Sequence, residues 1–318
     1  MSRGYCAAKR RTCLLASCIL TALLASMWPG LAHAAISGHK AGVYVDWGDP
    51  NGRESNVEAF EQWLGRKGLL ALDYTPGDSW ANFTATAAWL PGYWWQYNHN
   101  RNIVWSIQLT METTTLSQIT PGLQDDAFKY VASQIAIFQP NAIIRIGWEG
   151  NGDWFPWSGA NGQQMDYINA FRHVAKIFKA ASPGFLIDWC VNFGPNNVPA
   201  DEIYPGDDVV DVIGMDIYDT NPQSRTDPNA SWQNYLNSRY GLRWHKQFAA
   251  SHHKPMSYPE WGVGQEGDNP TFVTGMANWI KNNNVLYNDY WNTNSAYPGM
   301  ISDGQYPKSA KVFLRLKP

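Results

Sequence analysis

Short apolar runs alternate with amphipathic stretches along most of this chain of 318 residues. The runs have the length and β-branched content of buried strands, and the stretches between them carry apolar residues at helical spacing. Eight strands are predicted in this way, at residues 41–47, 69–73, 102–109, 143–148, 186–192, 212–218, 255–260 and 285–291. Helices are predicted at residues 56–67, 124–138, 162–181, 232–250 and 271–281. Such alternation requires a parallel sheet covered by helices, and eight units close the sheet into a barrel.

We therefore predict the α/β class and a single (β/α)8 barrel, the TIM-barrel architecture, over residues 35–318. A doubly wound open sheet is the alternative. It lacks support because no G-x-G-x-x-G motif follows the first predicted strand. Neither a linker rich in proline and serine nor a repeat of solenoid length marks a second domain.

The first 34 residues are interpreted as a cleaved secretory signal. Four basic residues precede an apolar segment at 12–28, and Ala32-His33-Ala34 is typical of a cleavage site. The segment is too short for a membrane span. A lipid anchor at Cys18 is the alternative interpretation of this region. Of the four cysteines, only Cys190 would remain after cleavage, so no internal disulfide is expected and the protein is expected to be secreted or periplasmic.

Charge narrows the choice of partners. Removing the 4 basic residues of the leader, and no acid, would change the formal net charge from −3 to −7. An acidic chain without a basic run does not have the character of a nucleic-acid-binding protein. The chain also lacks G-x-S-x-G, H-E-x-x-H and a cysteine pair, so we expect no metal and no cofactor. We expect a monomer.

In a barrel of this kind the functional site lies at the carboxyl ends of the strands. The side chains predicted at these ends are Asp46, Asp73, Glu149, Asn192, Asp216, Tyr218, Glu260 and Trp291. Two of them are glutamates, on the fourth and seventh strands. Such a pair is what glycoside hydrolysis needs, because one carboxyl protonates the leaving oxygen and the other attacks the sugar or activates water. The alternative is that each glutamate forms a structural ion pair.

The fourth strand also carries Arg145. A period of two would place Arg145, Gly147 and Glu149 on the inner side of the strand and Trp148 on the outer side. Arg145 is a candidate both for an ion pair inside the barrel and for a direct role in the site.

Tryptophan is unusually frequent, with 17 Trp and 16 Tyr in the chain. Many of these rings must belong to the core. Trp94-Trp95, and Trp154 with Trp157, lie beside glycines and polar residues in segments interpreted as loops. A flat ring with a polar edge suits the apolar face of a sugar, so these loop tryptophans are candidates for substrate binding.

The run Arg145-x-x-x-Glu149-x-Asn-Gly-Asp-Trp154-Phe-x-Trp157 resembles the fourth-strand motif of the family 26 glycoside hydrolases. Residues 212–218 are similar to the sixth strand of that family, and residues 254–260 to its seventh. Only the first motif is specific, although the order of strands matches over the whole mature chain. The family comprises retaining β-mannanases, β-1,3-xylanases and mixed-linkage glucanases on an eight-stranded α/β barrel.

The resemblance implies that Glu149 is the acid/base and Glu260 the nucleophile. It also implies that Tyr218 donates a hydrogen bond to Glu260, that Arg145 helps hold the carboxylates, and that Trp154 and Trp291 line sugar subsites. We add Trp157, Asp73 and Asn192 as candidates for substrate contact. The mechanism would require a raised pKa at Glu149 and carboxyls about 5 to 5.5 Å apart.

One position departs from the family pattern. Mannanases of the family commonly carry a histidine just before the acid/base, and Trp148 stands there in this chain. The expected function is therefore a secreted retaining hydrolase of a β-linked polysaccharide, with the sugar left open. Two alternatives are a hydrolase of a bacterial exopolysaccharide and a carbohydrate-binding barrel without hydrolytic activity.

Overall fold

Eight parallel strands close into a barrel in the computed structural model, which describes residues 39–46 and 52–318. The strands are β1 Lys40–Val45, β2 Leu70–Tyr74, β3 Ile103–Ile107, β4 Ile143–Ile146, β5 Leu186–Asn192, β6 Val212–Tyr218, β7 Met256–Gly262 and β8 Val285–Asn292. Each strand pairs with its neighbour in sequence, and β1 pairs with β8 to complete the barrel. The predicted (β/α)8 fold is confirmed. The predicted leader lies outside the described residues.

Ten α-helices surround the strands in the part of the chain that the structure describes. They are α1 Arg53–Leu64, α2 Trp80–Ala87, α3 Leu90–Tyr97, α4 Leu116–Ile119, α5 Asp125–Phe138, α6 Gln164–Ala181, α7 Pro228–Asn237, α8 Leu242–Ser251, α9 Pro270–Asn282 and α10 Pro307–Leu316. None of these described helices combines the length and apolar content that crossing a bilayer would require.

The helices differ from the sequence prediction in several places, and α2, α3, α4 and α10 were not predicted. The single helix predicted at 232–250 is two helices, because Tyr240 adopts a left-handed φ of 56° between α7 and α8. Trp94 and Trp95, predicted in a loop, lie in α3. The Leu-Pro-Gly start of α3 resembles a turn in sequence, but proline is compatible with the first helical turn.

The barrel has an inner and an outer apolar layer. Ile144 and Ile146 of β4 belong to the large cluster between strands and helices, whereas Ile143 belongs to a smaller cluster with Leu70, Leu72 and others on the inner face. Both layers are almost fully buried. Strands that are apolar on both faces are typical of parallel sheets covered by helices.

The barrel interior also holds buried acids. Asp188 accepts hydrogen bonds from Ser257 at 2.5 Å and Tyr287 at 2.6 Å. Neither carboxylate oxygen of Asp289 has a hydrogen-bond partner among the described residues. The side chain of Asp289 has room because residue 42 is a glycine. A Cβ atom at Gly42 would lie 1.6 Å from Asp289 Oδ1. Burial raises the pKa of Asp188 to about 6 and that of Asp289 well above its ordinary value.

Asp188 should make the free energy of unfolding depend on pH. Its pKa is about 6 in the folded state, above the ordinary value near 4, so the folded state binds the proton more tightly. This contribution is present below pH ~4 and is lost as the pH rises towards 6, by an amount on the order of 2 to 3 kcal/mol. Asp188→Asn should remove it.

Denaturant unfolding of wild type and Asp188→Asn between pH 4 and 8 tests this expectation. The free energy of unfolding of the variant, minus that of wild type, should rise between pH ~4 and 6 and then stay constant. If this difference in the free energy of unfolding does not change with pH, Asp188 has the same pKa in the folded and unfolded states and the expectation is wrong.

Candidate active site

An open cavity of about 610 Å³ lies at the carboxyl ends of the strands. Both predicted catalytic glutamates, Glu149 and Glu260, line it. The remaining lining is rich in aromatic and amide side chains, namely Tyr74, Trp148, Trp154, Phe155, Asn192, Asn196, Tyr218, Gln265, Trp291, Ala296 and Tyr297. The cavity therefore combines two carboxyls with ring faces and neutral hydrogen-bonding groups.

The backbone before Glu149 leaves the strand conformation early. β4 ends at Ile146, and Gly147 adopts φ 48°, a left-handed conformation that suits glycine. A Cβ atom there would also lie 2.4 Å from Leu109. Glu149 itself has φ 53°, and its N–H donates to the Cys190 carbonyl at 2.8 Å. A non-glycine residue held in this region stores strain of the kind found at functional sites.

This change of direction corrects the prediction for Trp148. Strict alternation placed its side chain on the outer side of the strand, but alternation stops at Ile146 and the ring lies in the cavity wall. The ring centroid is 5.1 Å from the Arg145 guanidinium carbon and 5.2 Å from the Tyr74 ring. Trp148 thus gives an apolar wall to the site and a cation–π contact to Arg145.

Glu149 is held by two neutral donors. Asn192 Nδ2 donates to Oε1 at 2.6 Å, and Trp154 Nε1 donates to Oε2 at 2.7 Å. Burial raises the pKa of Glu149 to about 7, and the negative charge of Glu260 adds to the effect, although both hydrogen bonds favour the ionised form. Glu149 can therefore hold a proton near neutral pH, as a general acid must.

Glu260, in contrast, accepts hydrogen bonds from one arginine and two tyrosine hydroxyls. Arg145 Nη1 donates to Oε1 at 2.7 Å, and the Tyr74 hydroxyl donates to the same oxygen. The Tyr218 hydroxyl donates to Oε2 at 2.5 Å. Burial and the charge of Glu260 raise the pKa of both tyrosines well above the ordinary value, so both phenols remain donors. These contacts stabilise the ionised carboxylate.

A break in the register of β7 directs Glu260 into the cavity. Ser257 points into the barrel, where it donates to Asp188, so strict alternation would turn Glu260 outward. The pairing of β7 with β8 shifts between Tyr258 and Trp261, around Pro259. Bulges of this kind re-aim side chains near active sites and tolerate proline.

Arg145 forms the ion pair inside the barrel that was one of its two predicted roles, and it reaches the cavity only through Glu260. It is fully buried, forms an ion pair with Asp216 through Nη2, and contacts Glu260 through Nη1. Burial alone would lower the pKa of Arg145, but Asp216 and Glu260 together raise it well above the ordinary value. Burial raises the pKa of Asp216, which the Arg145 charge opposes. Arg145 is therefore the cation that holds two buried carboxyls in place.

Replacing Arg145 with methionine should lower the free energy of unfolding by about 3 to 5 kcal/mol, because it leaves two buried carboxyls without a cation. Denaturant unfolding at pH 7 measures this loss. The double variant Arg145→Met/Asp216→Asn is the matched control and should recover part of it, since fewer charges are left unpaired. A loss below about 1 kcal/mol for Arg145→Met would contradict the role assigned to the ion pair.

Three of the residues predicted to contact substrate do not line the cavity, namely Arg145, Asp73 and Trp157. Asp73 is fully buried on the outer side of β2, where Arg53 Nε at 3.2 Å and Trp94 Nε1 at 2.8 Å donate to it. Trp157 is 2% exposed and stacks on Phe155 beneath the cavity wall, with ring centroids 4.5 Å apart. Both side chains support the site from behind, so the structure does not favour a direct contact with substrate.

The sequence interpretation missed several residues of the wall. Tyr74 is the most important, because it donates to Glu260. The predicted strand ended at Asp73, one residue too early; in the structure, Leu70 and Leu72 point inward and Tyr74 follows them. Tyr297 stacks on Tyr218, with ring centroids 4.5 Å apart. It lies in the loop after β8, where no periodic pattern could have indicated its position.

The described residues offer no metal site. Within residues 39–46 and 52–318, no group of three or more His, Cys, Asp or Glu side chains is arranged to hold a metal ion. The charged groups at the cavity are the two glutamates and, behind them, Arg145. A closed parallel barrel with two glutamates of different surroundings at one cavity is compatible with the glycosidase class, which uses such a carboxyl pair.

Comparisons with known proteins agree with this class. The model of glycosyl hydrolase family 26 matches residues 113–237, which include Glu149 but not Glu260. Endoglucanase H of Acetivibrio thermocellus is 25% identical over 279 residues, which cover 84% of this chain and 28% of that protein. The chain therefore spans little more than a quarter of that relative.

Solved structures show the same fold. A Cellulomonas fimi endo-β-1,4-mannanase double mutant has a TM-score of 0.64 at 18% identity, covering 87% of this chain and 69% of that one. A family 26 β-mannanase from Bacteroides ovatus has a TM-score of 0.57 at 17% identity, covering 91% and 90%. These structures show the fold, and the family model bears out the resemblance of residues 113–237 to glycosyl hydrolase family 26.

Proposed function

We propose that this protein is a retaining glycoside hydrolase that cleaves a β-linked polysaccharide by double displacement. The observation that carries the proposal is the contrast between the two glutamates. Glu149 is buried among neutral donors with its pKa raised to about 7, whereas Glu260 accepts hydrogen bonds from an arginine and two phenols. One carboxyl is thus suited to give a proton and the other to attack.

In the first step the Glu260 carboxylate attacks the anomeric carbon from the face opposite the leaving group. The bond from that carbon to the glycosidic oxygen breaks, and protonated Glu149 delivers its proton to this oxygen. Negative charge leaves Glu260 as the glycosyl ester forms. The pKa of Glu149 then falls, because the repulsion from Glu260 that helped to raise it is gone.

In the second step Glu149, now ionised, takes a proton from a water molecule that attacks the anomeric carbon. The ester bond to Glu260 breaks, and the carboxylate returns to the hydrogen bonds of Arg145, Tyr74 and Tyr218. Two inversions give a product with the configuration of the substrate. Both glutamates end the cycle in their starting protonation states.

The walls of the cavity support a sugar polymer as substrate. Trp154 is 47% exposed, and its ring lies beside Glu149 at the cavity. Trp291 and Tyr297 line other parts of the same wall. Rings at several points along an open cavity suit successive sugars, whose C–H faces stack on aromatic surfaces.

The identity of the sugar is a finer proposal. Related structures are described as mannanases, whereas the curated relative is described as an endoglucanase. Trp148 presents a ring to the cavity where mannanases of the family commonly carry a histidine, so that histidine's polar contact is absent. We therefore propose a β-glucan in preference to a β-mannan.

Hydrolysis assays with mixed-linkage β-glucan, β-mannan, β-1,3-xylan and bacterial exopolysaccharides test the proposal, with Glu260→Ala as the inactive control. We expect reducing ends from β-glucan with wild type and none with the variant. Faster release from β-mannan would overturn the sugar preference but keep the reaction. Binding of a polymer without any cleavage would refute the proposed hydrolytic activity and would favour the carbohydrate-binding barrel.

Export is part of the proposal and depends on the sequence of residues 1–34. Expression of the full chain in a bacterial host, followed by mass spectrometry of the exported protein, should find a mature form that begins near Ala35. A protein that keeps these residues and stays in the cell would contradict secretion. Recovery in the membrane fraction with a lipid on Cys18 would favour the anchored form.

A further inference from the structure

A second concave surface lies outside the barrel, over helix α3. It is an open groove of about 530 Å³. Gly92 and Gln96 form its floor, Trp89, Tyr93 and Tyr97 form one wall, and Trp95 with Phe138 of α5 forms the other. We call this surface the α3 groove. It uses Trp95, one member of a tryptophan pair that the sequence had indicated for sugar binding, whereas Trp94, the other member, is buried and donates to Asp73.

The first wall is a regular row of rings. Trp89, Tyr93 and Tyr97 are four residues apart, so they follow one helix face at intervals of about 6 Å along the axis. Ring centroids are 6.3 Å apart for Trp89 and Tyr93, and 4.6 Å for Tyr93 and Tyr97. Tyr93 is only 8% exposed and its ring is nearly perpendicular to that of Trp89, so Trp89 and Tyr97, at the two ends of the row, are the rings that a sugar can reach.

The rings are more exposed than packing would require. Trp89 is 42% exposed and Tyr97 is 54% exposed, both among the exposed large apolar side chains of the described chain. Gly92 keeps the floor flat, since a Cβ atom there would lie 3.3 Å from the Phe138 ring. Trp95 Nε1 is buried and has no hydrogen-bond partner among the described residues.

The groove is electrically neutral. Its lining contains no aspartate, glutamate, lysine, arginine or histidine, in a chain with a formal net charge of −3. Two charged residues that contact its lining are paired, since Arg53 beside Trp89 binds Asp73 and Glu54 beside Tyr93 binds Arg101. A neutral ligand with hydroxyl groups and apolar faces therefore fits better than a charged peptide or nucleic acid.

The α3 groove begins at the end of the barrel that carries the catalytic cavity. The Arg53 guanidinium carbon lies 5.5 Å from the Trp89 ring centroid, and Arg53 Nε donates to Asp73. Asp73 directly precedes Tyr74, which lines the catalytic cavity. From Trp89, α3 runs back towards the start of β3 at the opposite end of the barrel. A polymer lying along the groove would therefore extend from the catalytic end of the barrel.

We propose that the α3 groove is a second binding site for a neutral β-linked polysaccharide, which stacks on Trp89 and Tyr97 while its cleavable segment occupies the catalytic cavity. The inference rests on the proposed function for the choice of polymer. Binding in the groove raises the local concentration of substrate at the cavity without taking part in the chemistry.

The test is retention of the full chain in native gels that contain mixed-linkage β-glucan, β-mannan or β-1,3-xylan, in a Glu260→Ala background that prevents cleavage. Trp89→Ala/Tyr97→Ala should weaken binding of the retained polymer roughly tenfold, as the loss of two stacking contacts would. Tyr130→Ala is the matched control, because Tyr130 is 40% exposed on α5 outside the groove. Retention should not change with salt, since the groove is neutral.

A kinetic comparison separates the groove from the cavity. With Glu260 intact, the double variant should lose kcat/KM on the polymer but keep it on a short chromogenic oligosaccharide that fills only the cavity.

Equal retention of double variant and control, or retention of no polymer, would overturn the α3 groove as a glycan site. If wild type sediments as a dimer and the double variant as a monomer, the occupant is a second copy and the inference is wrong. Failure of wild type to cut any substrate would refute the proposed function, and the retention assay would still report on the groove.

Discussion

Glu260→Gly is expected to lower kcat/KM on a β-linked substrate by about 10⁴-fold or more, the scale seen when a catalytic nucleophile is removed. Arg145, Tyr74 and Tyr218 all donate to this carboxylate, and no other carboxylate among the described residues accepts from all three. Without it, Arg145 keeps its ion pair with Asp216, so the barrel should remain folded. Kinetic assays and circular dichroism of the variant measure both effects.

Azide makes this result specific to the nucleophile. A small anion can enter the space left by Glu260→Gly and attack the anomeric carbon, giving a glycosyl azide of inverted configuration. Glu58→Ala, at an exposed glutamate on α1, is the control and should behave as wild type with or without azide. If azide restores turnover only in Glu149 variants, the two roles are exchanged or the mechanism is wrong.

Glu149→Ala should lower kcat/KM on polysaccharide by about 10² to 10⁴-fold, the usual contribution of a general acid. The loss should be much smaller on aryl glycosides with good leaving groups, because their oxygen needs no proton to depart. The barrel should stay folded, since Glu149 contributes no ion pair and is held by two neutral donors. A uniform loss on both kinds of substrate would contradict the role of Glu149 as the acid.

The pH profile of wild type gives a second test of Glu149. Because its pKa is raised to about 7 and its protonated form is required, kcat/KM should fall as the pH rises through about 7. Trp154→Phe removes a hydrogen bond that favours the ionised form, so the alkaline limb should move to higher pH. A limb that stays in place in this variant would show that another group controls it.

The barrel was predicted well from the sequence because a short apolar run typical of a buried strand occurs eight times along the chain. The strands are buried on both faces and the longer helices have one apolar stripe, so local errors at strand ends did not alter the architecture. Because both faces of a strand are buried, the sequence shows no alternation of polar and apolar residues that would mark the face pointing into the barrel. Asp73 and Tyr74 illustrate the consequence, because nothing in Leu70–Tyr74 alone tells that Tyr74, and not Asp73, faces the cavity.

The two glutamates were predicted because of their residue type and their position at strand ends. The backbone conformations that direct them into the cavity were not predicted. Glu149 reaches the cavity through two left-handed residues, and Glu260 through a register shift beside Pro259. Both features depend on pairing with neighbouring strands, which periodicity does not encode. Trp148 was misplaced for the same reason, since alternation ends two residues before it.

The configuration of the first product, followed by proton NMR during cleavage of a β-linked oligosaccharide, tests the central claim most directly. Double displacement through Glu260 predicts that the β-anomer appears first and that the α-anomer grows only by mutarotation. Initial release of the α-anomer would mean a single displacement by water. It would contradict the assignment of Glu149 as acid/base and Glu260 as nucleophile.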